Sequence, residues 1–500
     1  MLMRLFKSFF RGNRGASPAA LDSRSTIEPR ESVSGRLVTA LKLHRDGNTA
    51  EARVLFAEVL EDEPDNADAH HLLGLLDLYG GNYPSAGASI RRAMELDPTR
   101  AILHHHLGVV LEQQGELSEA LACCSKALAL DPDDAEAHCL KGSVLLALRQ
   151  VHEATASYRR ALDLVPDSAK FKFTLSLALL LQGEFAEGWE MYEFRWDGSA
   201  ELAGRKREFT QPQWHGGTLA GKTLLLHAEQ AFGDSLQFVR YLDLVTKRGD
   251  ARQVILECQP ELRRLFESGR GGITVVNQGE PLPDFDVHCP LLSLPLAFGT
   301  TLATIPRDLP YLRPDAVDVE KWRQRLRGAG TGLRVGLVWS GKVRRMNRWH
   351  NLEFSELAPF LDIPGARYFS LQKAQDGAAM ENACAETPVI DFTGELKDFA
   401  DTAALVSNLD LVISVDTAVA HLCGALGVPV WLLARYDADW RWLLDRSDSP
   451  WYPSMTIFRQ KSPGSWGELT SRVAPILRAE IKGRNSAGTP ISAVRGNGRN

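Results

Sequence analysis

Through residues 35–200 small and apolar positions recur on a 34-residue period, punctuated by Pro64, Pro98, Pro132 and Pro166. Twelve residues before each proline stand Ala52, Ala86, Ala120 and Ala154. Twenty-four before stand Ala40, Gly74, Gly108 and Gly142, and five before stand Val59, Ala93, Ala127 and Ala161. Eleven of these twelve are glycine or alanine, where average usage gives roughly one in six. Small residues at fixed offsets let two antiparallel helices approach closely, with Phe56, Ile90 and Tyr158 filling the next layer. The prolines end each second helix, at Asp97-Pro98, Asp131-Pro132 and Val165-Pro166, because proline cannot continue the hydrogen-bond ladder.

After residue 200 the pattern changes to apolar runs of strand length: Thr223–His227, Val254–Cys258, Ile273–Val276, Arg334–Trp339, Arg367–Leu371, Val389–Phe392, Leu411–Val415 and Val430–Leu433. Helical stretches separate several of them, among them Ser235–Lys247, Pro260–Glu267, Phe399–Leu409 and Thr417–Leu426. Such alternation predicts parallel sheets with crossover helices. The stretch is too long for one sheet, and 306–330 offers a break. Two doubly wound domains facing each other are expected, with ligand in the cleft outside the carboxyl ends of the strands.

The 34-residue period resembles that of the tetratricopeptide family, which stacks helix pairs into an α solenoid with a concave groove. The resemblance implies that the groove takes an extended peptide or a helix of a partner protein. A fifth, incomplete unit over about 170–196 carries bulky aromatics instead of small residues, as expected of a cap that packs on another domain. His104, His105 and His106 stand consecutively; on a helix they point about 100° apart and cannot converge on one metal ion. They are expected to face the groove or solvent.

Composition narrows the field. With 500 residues, 44% apolar and 24% charged, the chain reads as a globular protein of two or more domains. A net charge of -6 argues against a generalised phosphate-binding surface, so no nucleic-acid partner is expected. The seven cysteines (123, 124, 139, 258, 289, 384, 423) form no Cys-x-x-Cys pair, which fits a reducing compartment. Arg4 and Lys7 interrupt the apolar N-terminus, leaving no secretory h-region. No run reaches the length of a transmembrane segment. A cytoplasmic protein is expected.

Two strand-to-helix turns carry the candidate chemistry. TLLLHAE runs into Gln230-Ala231-Phe232-Gly233-Asp234, and DLVISV runs into Asp416-Thr417-Ala418-Val419-Ala420-His421. In each, a buried strand opens a helix whose unsatisfied N–H groups suit a diphosphate. The plainer alternative makes Asp234 and Asp416 helix N-caps, which aspartate favours for the same electrostatic reason. Their joint occurrence in two facing domains favours a site.

From about Trp214 to Ile481 the chain resembles the heptosyltransferase-like glycosyltransferases of the GT-B class. The likeness rests on EQAFGDSLQFVRY, DFDVHCPLLSLP, RVGLVWSG, DLVISVDTAVAHLCGALGVPVWLL and DWRWLLDRSDSPWYPS. Bacterial proteins joining tetratricopeptide repeats to such a domain are similar throughout. The resemblance implies an α solenoid followed by an α/β GT-B fold of two facing Rossmann-like domains. The expected division is a flexible N-terminus (1–34), a solenoid with capping helices (35–200), an acceptor domain (201–315), a nucleotide-sugar domain (316–481) and a tail (482–500) whose Gly, Ser, Asn and Arg content predicts disorder. The resemblance further implies an inverting hexosyl- or heptosyl-type transfer from a nucleotide-diphosphate sugar, with Asp234 as general base and no metal or cofactor. Asp416, Thr417, Ala418 and His421 would hold the donor's diphosphate. Gln230, Gly233 and His288 are possible acceptor-side residues. Ala231 stands where related sequences have glycine, and residues 342–351 depart from the usual loop but stay basic, with Lys342 and Arg348 the candidates for neutralising phosphate. Asp284-Phe285-Asp286 and Asp437-Ala438-Asp439 fit the Asp-x-Asp metal pattern, yet a GT-B site needs no metal. The acceptor is expected to be a protein recruited by the repeats. The alternatives are a glycan or lipid-linked saccharide as acceptor, or a non-catalytic tetratricopeptide adaptor whose transferase half is degenerate.

Overall fold

In a computed structural model of the chain, residues 32–268, 272–341, 351–373 and 387–487 are described. They form two compact units, one comprising residues up to Leu148 with Asp163–Val165, the other Arg149–Leu162 with everything from Pro166 onward.

The first unit is helical. Val33–Arg45 pairs with Thr49–Asp62, Ala67–Tyr79 with Tyr83–Leu96, and Ala101–Gln114 with Leu117–Leu130; Ala135–Ala147 follows. The small-residue columns lie where the helices cross, and Ala40, Ala52, Ala86, Ala93, Ala120 and Ala127 are all fully buried. A β-carbon at Gly74 would come within 2.7 Å of the Ile90 side chain, and one at Gly108 within 3.1 Å of Leu140. That close approach is what the columns encode. The turns inside the pairs place Gly47, Gly81 and Gly115 at φ +90°, +78° and +81°, the left-handed conformation that glycine adopts without strain.

His106 faces neither groove nor solvent: it is buried, and its Nδ1 lies 2.7 Å from Nε2 of the buried His71. One residue on from His105, it has turned into the interface between helices of adjacent repeats. Burial, ahead of neighbouring cations, lowers His71 to about 3 and depresses His106 as well. His104 and His105 are half-buried.

The second unit holds cap helices Ala169–Gln182 and Phe185–Tyr192 and two parallel sheets. The first sheet contains β1 (Thr223–His227), β2 (Gln253–Cys258), β3 (Ile273–Asn277) and β4 (Val287–Pro290), in the order β3-β2-β1-β4. The second contains β5 (Leu333–Val338), β6 (Ala366–Ser370), β7 (Val389–Asp391), β8 (Leu411–Val415), β9 (Val430–Ala434) and β10 (Met455–Arg459), in the order β10-β9-β8-β5-β6-β7. Strands β1, β8 and β9 are buried along their whole length. Their largely apolar sequences follow from helices covering both faces. The arrangement is the expected GT-B type of two Rossmann-like lobes.

Two strands were not foreseen. β4 (VHCP) is short, contains a histidine and ends in proline, while β10 (MTIFR) is a five-residue edge strand. Helix Trp466–Ala487 runs past Ile481, because Leu469, Val473, Leu477 and Ile481 form one buried stripe that nucleates the turns beyond it. Among the described residues no helix is long and apolar enough to cross a membrane.

Candidate active site

The lobes meet through the helices that open at the two turns. Helix Phe232–Phe238 follows β1, and helix Ala418–Leu426 follows β8. At their crossing a β-carbon on Gly233 would lie 2.9 Å from Cδ2 of His421 and 3.7 Å from Cα of Ala418. Only glycine allows this approach. Beside it Phe232 packs on Phe399, ring centroids 5.0 Å apart. Arg264 of the first lobe donates to Asp318 and Asp398 of the second, both at 2.7 Å.

The two turns, alike in sequence, are unlike in structure. Asp234 Oδ2 accepts from the backbone N–H of Ala231 at 3.0 Å, but the N-cap of this helix is Ala231, so Asp234 is its third residue and not the cap that the plainer alternative expected. Its Oδ1 pairs with Arg441 of the other lobe. Arg441 is held in turn by Gln237 Oε1 at 2.6 Å and Asp439 Oδ1 at 2.9 Å, and lies 4.3 Å over Trp440. The surrounding carboxylates hold it charged although burial opposes this.

In the second turn the N-cap is Thr417, not Asp416, and among the described residues no side chain caps the helix that follows. The first N–H groups of that helix are left to a ligand or solvent. Thr417 Oγ1 rests 3.0 Å from Ser414 Oγ. Asp416 points aside: its Oδ2 accepts from Trp442 Nε1 at 2.8 Å, and its Oδ1 lies 3.8 Å from His421 Nε2. Desolvation, and after it the Asp439 carboxylate, raises Asp416 to about 6. Its side chain keeps 33% of its surface open. His421 is buried, stacks on Trp442 and shares a 2.8 Å hydrogen bond with Tyr452. Burial first, then Arg441 and Arg240, keep it neutral.

The remaining candidates fall elsewhere. Gln230 turns its amide to Tyr192 of the cap at 3.3 Å. His288 does not reach the meeting of the lobes through its contacts: its partners are His227 at 3.3 Å and the ring of Phe209, because β4 directs it onto the face covered by residues around Phe209. Lys342 and Arg348 lie outside the described residues. In the Asp-x-Asp pairs, Asp286 accepts from Thr223 N, Asp439 binds Arg441, and Asp437 lies 3.7 Å from Arg435.

Sequence reasoning missed the buttress under the first turn. Arg195, wholly buried, donates to both oxygens of the buried Glu229 at 2.9 Å, and also reaches Glu193 and Ser293 at 2.9 Å. Burial pushes the Glu229 carboxyl up and Arg195 opposes it. Glu229 stands immediately before Gln230, so the cap holds the segment that carries Asp234. Trp189 of the same cap donates to Thr300 O at 3.1 Å and packs edge-on against Trp440, Trp451 and Phe238. The aromatics in EFAEGWEMYEFRW were the available signal.

Repeats followed by two parallel-sheet lobes, joined at paired strand-to-helix turns, define the class: a helical solenoid carried on a GT-B fold. Comparison with known proteins makes this specific. Residues 338–465 match glycosyltransferase family 9 (heptosyltransferase), and residues 40–101, 101–134 and 139–190 match tetratricopeptide repeats. The chain therefore carries tetratricopeptide repeats and a glycosyltransferase family 9 domain. Protein FlbA of Caulobacter vibrioides is 30% identical over an alignment of 332 positions that covers 61% of this chain and 54% of that protein. The chain thus spans about half the length of the curated relative it matches. Among solved structures, pilF of Pseudomonas aeruginosa is 22% identical, matching 34% of this chain and 77% of that one with a TM-score of 0.32. A thermophilic tetratricopeptide protein of Thermus thermophilus is 21% identical, with 34% and 92% covered and a TM-score of 0.30.

Proposed function

We propose that the chain is an inverting, metal-independent glycosyltransferase that moves a sugar from a nucleotide-diphosphate donor to an acceptor, a protein recruited by the repeats. The observation that supports this best is the uncapped start of helix Ala418–Leu426 meeting the Asp234 helix across the lobes at Gly233. Donor diphosphate at Thr417, Ala418 and Val419 would receive backbone N–H donors where the leaving group's charge develops. Neutral His421 can donate one hydrogen bond without drawing the phosphate away from those amides. Asp234 would take the acceptor's proton as the acceptor attacks the anomeric carbon, in a single displacement that inverts the centre. Asp416, itself acidic, suits phosphate poorly; its bond to Trp442 fits a role in fixing the loop that carries Arg441.

A second reading, a non-catalytic adaptor, is favoured by the pairing of Asp234 with Arg441, since a carboxylate held by a guanidinium is a poor base. Incubation with a panel of nucleotide sugars and candidate acceptors decides between them. The transferase reading expects nucleotide release that Asp234→Asn lowers by about 100-fold or more while nucleotide binding persists. Turnover undiminished in Asp234→Asn removes that residue from the base role. Absence of any nucleotide binding by the wild-type chain supports the adaptor.

A further inference from the structure

The turn glycines Gly47, Gly81, Gly115 and Gly183 stand 34 residues apart, except that the register position between the last two is Arg149. Its backbone follows the glycines, with φ +62° against +81° at Gly115 and +85° at Gly183. A side chain strains this conformation, and such strain persists only where surrounding contacts outweigh it. A second cost adds to it: Arg149 sits beside Arg459, a cation that burial first, and the Arg149 charge second, lower to about 10.

The contacts that offset these costs are made to one loop. Arg149 donates to Asp445 at 2.5 Å and lies 5.3 Å over the ring of Tyr436. Positions 436 and 445 bracket the segment in which Arg441 reaches Asp234 and Gln237, and Trp442 reaches Asp416. That segment is itself strained, since Leu443 has φ +52°. Its shape therefore depends on being held from both ends.

We propose that Arg149 is a positioning residue for the candidate donor site, clamping loop 435–446 so that Trp442 and Arg441 keep their places. The proposal rests on the glycosyltransferase reading for its functional consequence, but the clamp itself can be tested separately.

The test is Arg149→Gly in the full chain, which restores the residue the other turns use. Because glycine relieves the backbone while the Asp445 and Tyr436 contacts are lost, the melting midpoint should move by no more than about 2 °C in either direction. Hydrogen exchange within 435–446 should nevertheless quicken about fivefold. Dissociation constants for UDP, GDP or ADP, whichever the wild type binds, should rise about threefold, with KM for donor rising more than KM for acceptor. Asp445→Asn combined with Tyr436→Leu, leaving Arg149 in place, should loosen the loop in the same way. Unchanged exchange over 435–446 in Arg149→Gly overturns the proposal. So does a loosened loop in Arg149→Gly that the Asp445/Tyr436 variant does not reproduce. If the wild type binds no nucleotide, the transferase reading fails, and the exchange measurement still decides the clamp.

Discussion

The pair Arg195–Glu229 offers a sharp test of how the cap supports the site. Both side chains are essentially excluded from water, at 0% and 1% exposure. Arg195→Met removes the cation and leaves Glu229 buried beside Glu193 with no guanidinium between them. Breaking a buried pair from one side costs about 3–5 kcal/mol. Glu229→Gln should cost less, about 2–3 kcal/mol, because Arg195 keeps Glu193 and Ser293 as partners. The double variant Arg195→Met/Glu229→Leu leaves no buried charge at the pair and should lie closer to wild type than Arg195→Met alone. The sign with pH follows from burial, which already pushes Glu229 up. Without Arg195 its folded pKa lies further above the unfolded value, so the folded state holds the proton more tightly. The Arg195→Met defect should therefore shrink as pH falls toward 4 and grow as pH rises through the folded pKa. Urea denaturation followed by tryptophan fluorescence reads this directly, since Trp189, Trp440 and Trp451 form the adjoining cluster. Additive costs in the double variant, or a defect independent of pH, would refute the reasoning.

Two further outcomes follow from the lobe interface. A β-carbon at Gly424 would lie 2.4 Å from Cδ1 of Tyr452, a ring pinned by its hydrogen bond to His421, so Gly424→Ala should cost about 1–3 kcal/mol, measured by the same denaturation. Protonating Asp416 removes a negative charge from the cleft, so nucleoside diphosphate should bind more tightly as pH falls through about 6. Titration calorimetry at several pH values should show that dependence in wild type and its loss in Asp416→Asn.

Much of the fold was legible because its causes are local. The alanine and glycine columns report helix crossings, and strands β1, β8 and β9 are buried on both faces, so their sequences are largely apolar. β4 escaped because its pairing with β1 is set by tertiary contacts, including Thr223 N with Asp286, rather than by its own four residues. The site was half legible. Asp234 and Asp416 both follow a buried strand, but only the fold shows that one lies inside its helix's first turn, bonded back to Ala231, while the other precedes the N-cap and turns to Trp442. Arg441, Trp442 and Arg195 act through partners 207, 26 and 34 residues away, a spacing that no local pattern reveals. β4 turns His288 toward Phe209, a choice of face that sequence position alone does not give. His106 misled by one step around a helix.

Donor diphosphate is proposed to lie on the first turn of helix Ala418–Leu426, which the Thr417 side chain does not cap. Residue-resolved amide hydrogen exchange, with and without saturating nucleoside diphosphate, reads those N–H groups themselves. Exchange should slow at Ala418 and Val419 and in the facing segment around Gly233. Bound nucleotide that leaves these amides unprotected, or that protects a different surface, would contradict this placement.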